Sequence, residues 1–278
     1  MLNIIKSVIF GIVEGITEWL PISSTGHLYL FQSFMNLNEP KAFISMYMVV
    51  IQLGAILAVV LLYWKRLWPV RRIRTTKDRV GRLGWDHDIL QMWLKVIIAT
   101  IPAAVIGGPF DDFFEAHFYN PTSIAVMLIL FGILFIVVEN RNATKKARVY
   151  SVDDFTYRDA IIIGLFQLIA ALFPGTSRSG ATIIGALMIG ISRTSAAEFT
   201  FFLAIPAMFG GTLLKLRHFH HFTGDQGAVL AVGMIVSFVV SVLAIKFLMN
   251  YIKTHDFKAF GWYRIALGII VLAVGFLI

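Results

Sequence analysis

The sequence predicts an all-α integral membrane protein with six transmembrane helices plus two re-entrant helix-turn-helix hairpins in an inverted-topology repeat. Three observations carry that expectation. The 278-residue chain is 58% hydrophobic and 14% charged, with a mean hydropathy of +0.79, outside the range of soluble domains. Six runs approach the roughly 20 apolar residues that span about 30 Å of hydrocarbon, at about 42–63, 89–109, 122–139, 196–216, 227–250 and 262–278. Two short pairs are left over, 2–20 with 24–37 and 159–173 with 180–191. The two pairs are copies of one another.

In the first copy the chain reads Gly11-Ile-Val-Glu14-Gly-Ile-Thr-Glu18-Trp-Leu-Pro21-Ile-Ser23-Ser24-Thr25-Gly26-His27. It returns as Gly164-Leu-Phe-Gln167-Leu-Ile-Ala-Ala171-Leu-Phe-Pro174-Gly-Thr176-Ser177-Arg178-Ser179-Gly180. Aligned without a gap, the copies pair Gly11 with Gly164, Glu14 with Gln167, Ile16 with Ile169, Pro21 with Pro174, Ser23 with Thr176 and Ser24 with Ser177. Each is an apolar stretch too short to cross, broken by proline, then a hydroxyl-rich turn and a second short stretch. Paired broken segments in two halves of a membrane protein point to a binding site. The chain reads as one membrane domain, 1–278, with repeat one at about 1–139 and repeat two at about 154–278.

Loop charges set the orientation. The net charge is +8, but the basic residues lie between spans, which argues for a membrane protein and no nucleic-acid partner. Lys65, Arg66, Arg71, Arg72, Arg74, Lys77, Arg79 and Arg82 fill one connection, and Arg141, Lys145, Lys146, Arg148 and Arg158 another. The segment Phe110 to Asn120 carries Asp111, Asp112 and Glu115 instead. The positive-inside rule places the first two in the cytoplasm and the third outside. The first broken pair then enters and leaves from the outer face, and the second, flanked by Arg158 and Arg193, from the cytoplasm. Lys215 and Arg217 at an outer end run against this orientation. The loop His218 to His221 is expected outside and away from any active site. Glu14 and Glu18 interrupt the first apolar stretch, so no cleavable signal peptide is expected. Cysteine is absent, which excludes thiol chemistry.

The turns hold the reactive side chains. Backbone that is not helical is tolerated at membrane depth only where protein buries it or water bathes it, so both turns should line one wet cavity. Ser23 or Ser24 is expected to cap helix 24–37, and Ser177 or Ser179 to cap helix 180–191. Free amides at a helix start, with the positive end of the macrodipole behind them, bind phosphate. Arg178 inside an apolar hairpin requires an anionic partner, either phosphate oxygens that suit its planar fork or Glu14 or Glu18. The two glutamates stand one turn apart on one helix face. With a phosphorylated ligand nearby they imply either a hard divalent cation, Mg²⁺ or Ca²⁺, or one glutamate kept protonated by desolvation and acting as general acid. Gln167 retains the oxygen without the charge, so the site is asymmetric. His27 next to Ser24 is a candidate general base, or itself the nucleophile.

These residues carry a resemblance. Glu14 to His27, together with Pro174-Gly175-Thr176-Ser177-Arg178-Ser179-Gly180-Ala181-Thr182, closely resembles the bacterial undecaprenyl-diphosphate phosphatase family, also called the bacitracin-resistance protein family. The likeness runs along essentially the whole chain, including Val50 to Gly54 and Ser195 to Phe199. It implies hydrolysis of undecaprenyl diphosphate to undecaprenyl phosphate and inorganic phosphate, which recycles the lipid carrier of peptidoglycan synthesis and confers bacitracin resistance. It implies Glu14 and Glu18 as metal or acid/base residues and Ser24 with His27 as nucleophile and base. Arg178, Ser177 and Thr182 become phosphate binders, beside Ser179, Ser23, Thr25 and Gly26 in the two turns. It further implies a multi-pass protein of the bacterial plasma (inner) membrane, dependent on a divalent cation, surrounded by lipid and assembled as a homodimer.

Two alternatives are weighed on the residues. A second lipid-phosphatase superfamily pairs Ser-Arg with a histidine six residues on, and neither Ser177-Arg178 nor Ser192-Arg193 is followed in that way. A carrier that flips a polyprenyl phosphate would share the inverted repeat, but it has no need of a serine and a histidine beside two glutamates.

Overall fold

A computed structural model of the protein describes residues 1–73, 82–217 and 223–277. Arg74, Lys77, Arg79 and His218, His220 and His221 lie outside the described residues. The first hairpin consists of α1 (Leu2–Thr17) and α2 (Ser24–Phe34), followed by the long α3 (Lys41–Leu67). After a short antiparallel ribbon, β1 (Val70–Ile73) with β2 (Arg82–Trp85), come α4 (His87–Pro102), a π-helical turn over Ala103–Gly107, α5 (Gly108–Phe118) and α6 (Pro121–Asn142). The second half runs through α7 (Tyr157–Leu172), α8 (Arg178–Met188), α9 (Arg193–Arg217), α10 (Gly224–Tyr251) and α11 (Lys258–Leu277).

Six helical stretches are long and apolar enough to cross a membrane: Lys41–Leu67, His87–Phe110, Pro121–Asn142, Arg193–Arg217, Gly224–Tyr251 and Lys258–Leu277. They match the six expected spans. At about 1.5 Å per residue, α1 and α7 are roughly 24 Å long and α2 and α8 roughly 16 Å, all short of the bilayer's apolar depth. Three spans lie between the two hairpins, the parity that opposite sides of entrance require. Two local features were not expected. The basic connection pairs as a β-ribbon, and the acidic segment after Gly107 stays helical, because a π turn following Pro102 absorbs the break instead of ending the helix.

Sequence capping explains where the helices begin. Asp86 accepts from the amides of Asp88 and Ile89, Asn120 from Ser123 ahead of a proline at the first helical position, and Thr156 with Asp159 and Thr223 with Gln226 form capping boxes. Ion pairs tie the basic connections together: Arg66 to Asp153 (3.2 Å) and Glu198 (3.6 Å), Arg148 to Asp159, and Arg193 to Glu139 (2.6 Å). Glu139 also accepts from the Phe257 amide at the start of α11.

Contacts between helices repeat when the halves are exchanged. Helix α1 packs along α10 as α7 packs along α4; α3 meets α10 as α9 meets α4; α2 touches α11 as α8 touches α6. The contacts α3 with α9 and α6 with α11 map onto themselves. The matched glycines of the repeat serve these contacts. A Cβ on Gly11 would fall 2.7 Å from the Gly233 carbonyl oxygen, and one on Gly164 2.5 Å from that of Ala99. Backbone thus rests on backbone where each hairpin lies against its long helix. Gly11→Ala and Gly164→Ala should each cost roughly 1–3 kcal/mol of overpacking, read as a lower thermal midpoint of the detergent-solubilised protein. Gly210→Ala, where no atom lies within 4 Å of the added carbon, should leave that midpoint unchanged or slightly higher.

Candidate active site between two helix starts

Both hairpin turns end in the same unusual backbone. Ser23 (φ 76°, ψ 102°) caps α2 and Ser177 (φ 67°, ψ 119°) caps α8, and they are the only non-glycine residues with positive φ among those described. Each hydroxyl accepts from the amide three residues on, Gly26 (3.3 Å) and Gly180 (3.2 Å). Such backbone costs on the order of 1–3 kcal/mol per residue and gathers at functional sites. The caps also correct the gapless alignment. Ser23 is equivalent to Ser177, not to Thr176, because the second turn holds one more residue between its proline and its cap. Gly175, at φ 90°, accommodates the insertion; a Cβ there would fall 2.5 Å from the Ile124 carbonyl oxygen.

In the corrected register Ser24 and Arg178 are the first residues of equivalent helices, and both meet one carboxylate. Ser24 Oγ donates to Glu18 Oε2 (2.9 Å), and Arg178 Nη2 donates to Glu18 Oε1 (3.0 Å). Ser179 Oγ donates to the Glu18 carbonyl (3.1 Å). Arg178 also donates to the Thr200 carbonyl (2.9 Å), while its Nε is buried without a partner among the described residues. The next residue, Trp19, is fully buried and meets Phe201 edge to face at 5.3 Å.

The other expected residues divide into those at this centre and those beside it. Glu14 is fully buried, next to Glu18 and Arg178, and neither carboxylate oxygen has a hydrogen-bond partner among the described residues. Gln167 donates to the Ala99 carbonyl (3.4 Å), and its own oxygen is unpartnered. Ser177 Oγ bonds Ser179 Oγ (3.2 Å). Thr182 turns away from the turns, donating to the Arg178 carbonyl (2.9 Å) and meeting Thr200 Oγ1 (2.9 Å). Thr25 lines a cavity of about 510 Å³ that reaches Pro174 in the other turn, with Lys41, Ser45 and Lys215 also on its wall. His27 does not bond Ser24. Its Nδ1 meets the Ser23 carbonyl (2.7 Å) and its Nε2 the Tyr263 hydroxyl (2.7 Å), because the ring folds back along its own helix while Ser24 turns to Glu18.

The site residues missed in the sequence are Arg264 and Tyr263, both on α11. Arg264 is fully buried and joins the two turns. Nη1 donates to the Pro21 carbonyl (3.3 Å), and Nη2 to those of Gly175 (3.0 Å) and Thr176 (2.7 Å). No carboxylate among the described residues pairs with it. The available signal was an arginine inside the last hydrophobic span, which demands a partner; the apolar residues around it concealed that demand.

The carboxylates that could hold a divalent cation at this centre are Glu14 and Glu18, the latter already paired with Arg178 and Ser24. No cluster of three or more His, Cys, Asp or Glu occurs among the described residues, so the protein offers two carboxylates, one with both oxygens unpartnered. Mg²⁺ commonly takes one or two carboxylates when phosphate oxygens and water complete its shell.

Fold and site together define a polytopic membrane protein whose charged, hydroxyl-rich centre lies where two broken helical hairpins meet. The chain belongs to the family described as bacitracin resistance protein BacA, which it matches over residues 7–270. It is 59% identical over 273 residues to the undecaprenyl-diphosphatase of Desulfitobacterium hafniense, covering 98% of this chain and 96% of the relative. It is 58% identical to undecaprenyl-diphosphatase 1 of Clostridium acetobutylicum, covering 98% and 97%, and 53% identical to an undecaprenyl-diphosphatase of Enterococcus faecalis, again covering 98% and 97%. With its six spans, it is a multi-pass protein of the bacterial inner membrane.

Arg264→Met should leave the carbonyls of Pro21, Gly175 and Thr176 without donors, at about 1–3 kcal/mol for each that stays buried. The expected result is a lower thermal midpoint and loss of most activity, with Arg264→Lys recovering only part of either.

Proposed function

We infer that the protein hydrolyses undecaprenyl diphosphate to undecaprenyl phosphate and inorganic phosphate, returning the lipid carrier to peptidoglycan synthesis and conferring bacitracin resistance. The observation that carries the reading to a mechanism is the Glu18 carboxylate shared by Ser24 and Arg178. The serine hydroxyl at one helix start already donates its proton to a carboxylate, and a guanidinium at the facing start is one exchange of partner away from an incoming phosphate.

In the proposed sequence the isoprenyl tail stays among apolar helices and the diphosphate lodges between the turns. Its oxygens take Arg178 from Glu18, and the amides at the two helix starts receive the rest of the charge. Ser24 Oγ attacks the terminal phosphorus as its proton passes to Glu18 Oε2. The bridging P–O bond breaks, and undecaprenyl phosphate leaves. Water then cleaves the phosphoserine, releasing inorganic phosphate and restoring the hydroxyl, with His27 as the second acid–base group. Arg178 and the oriented amides stabilise charge that builds on the phosphoryl oxygens. A divalent cation, which Glu14 and Glu18 would hold, supplies neutralisation of the diphosphate charge and polarisation of the phosphoryl group. The homodimer implied by the resemblance belongs to the same proposal and is checked by light scattering of the detergent complex.

Purified protein in detergent, where no sidedness exists, should release phosphate from undecaprenyl diphosphate; a protein that only moves the lipid across the membrane releases none. Ser24→Ala should abolish release and any trapped phosphoenzyme, whereas single-turnover cleavage by that variant would transfer the nucleophile's role to His27. Glu18→Gln should lower kcat by about 10²–10⁴-fold, the usual worth of a positioned proton acceptor. Chelator treatment should remove activity, and Mg²⁺ or Ca²⁺ should restore it to the wild type but not to a Glu14→Gln variant.

A further inference from the structure

We propose that Tyr263 is a positioning residue for His27, holding Nε2 in place while the Ser23 carbonyl keeps the proton on Nδ1. The inference rests on the reading above in which His27 takes part in catalysis. It begins from the hydrogen bonds of the imidazole. The Ser23 carbonyl can only accept, so at 2.7 Å His27 Nδ1 is the donor and in the neutral ring Nε2 holds the lone pair. The Tyr263 hydroxyl, 2.7 Å from Nε2, is then the donor to it. Both ends of the ring are held, and its faces are aligned as well, for the two rings lie 8° from parallel with centroids 5.6 Å apart.

The position of Tyr263 is itself registered to the site. Arg264, the next residue, binds the carbonyls of both turns, and α11 packs on α2, so the backbone that carries Tyr263 is tied to the turns. His27 is 8% exposed and Tyr263 47%, so a buried imidazole meets a half-exposed tyrosine. A tyrosine serving only to fill space has no need of its hydroxyl at that nitrogen. The Ser23 carbonyl sets the tautomer through Nδ1, and the Tyr263 hydroxyl sets the direction of Nε2.

The first test needs no variant. Nitrogen-15 spectra of histidine-labelled wild-type protein in detergent, with the His27 signals identified by their disappearance in His27→Gln, should show a neutral ring protonated on Nδ1. A ring protonated on Nε2 overturns the proposal. Tyr263→Phe, which keeps the stacked ring and loses the hydroxyl, should shift the His27 Nε2 signal and lower kcat roughly tenfold to a hundredfold with KM little changed, the range found when partners orienting metal-bound histidines are removed. An unmoved signal, or a moved signal with wild-type kcat, refutes the positioning role. Wild-type phosphate release by His27→Gln would instead show that His27 has no part in catalysis, a failure of the underlying reading that the Tyr263→Phe spectrum tells apart from a missing hydrogen bond.

Discussion

Arg264 is the constraint on which the rest of the site depends. A guanidinium removed from water without a counter-ion is costly, and here the compensation comes from carbonyl oxygens in two turns that are far apart in sequence. The arrangement works in both directions. The turns accept from both terminal nitrogens of the arginine, whose Nε is buried without a partner among the described residues, and the arginine ties together the turns that hold the positive-φ residues Ser23 and Ser177. Without that clasp, neither helix start would be bound to face the Glu18 carboxylate. The positive charge also remains at the centre, unmatched by any described carboxylate, where an anionic ligand has to be received.

Division of labour between the hairpins follows from their local chemistry. Ser24 and Arg178 occupy the same position of equivalent helices, yet one offers a hydroxyl and the other a permanent charge. Glu18 has no counterpart in the second copy, where Ala171 stands in its place. Glu14 likewise meets only the neutral Gln167. One copy therefore brings two carboxylates and a serine hydroxyl and the other a guanidinium, while the scaffold beneath them keeps the same helix contacts.

The fold was legible in the sequence almost to its helix ends, since six apolar runs and two short broken ones are set by the thickness of the bilayer. The candidate residues were legible too, because charged and hydroxyl side chains are conspicuous in apolar segments. Their pairing was less so. The gapless alignment hid the extra residue of the second turn, for only backbone geometry reveals which serine is the cap. Ser24 was expected to face His27 from proximity in sequence, but hydrogen bonding to Ser23 and Tyr263 draws the ring elsewhere. Tyr263 and Arg264 escaped notice because their partners are more than eighty residues away, and long-range contacts leave no local pattern.

The exchange symmetry of the helix contacts has a consequence for how such a site arises. Two identical half-length chains inserted in opposite senses would satisfy the same packing, α3 against its own copy and α6 against its own copy. In that assembly the helix starts would be identical, serine facing serine or arginine facing arginine, and every carboxylate would be present twice. A single Glu18 shared between one serine and one arginine is attainable only once the halves differ in sequence, so that each turn is free to change by itself. Divergence of the two copies is therefore a chemical requirement of this centre.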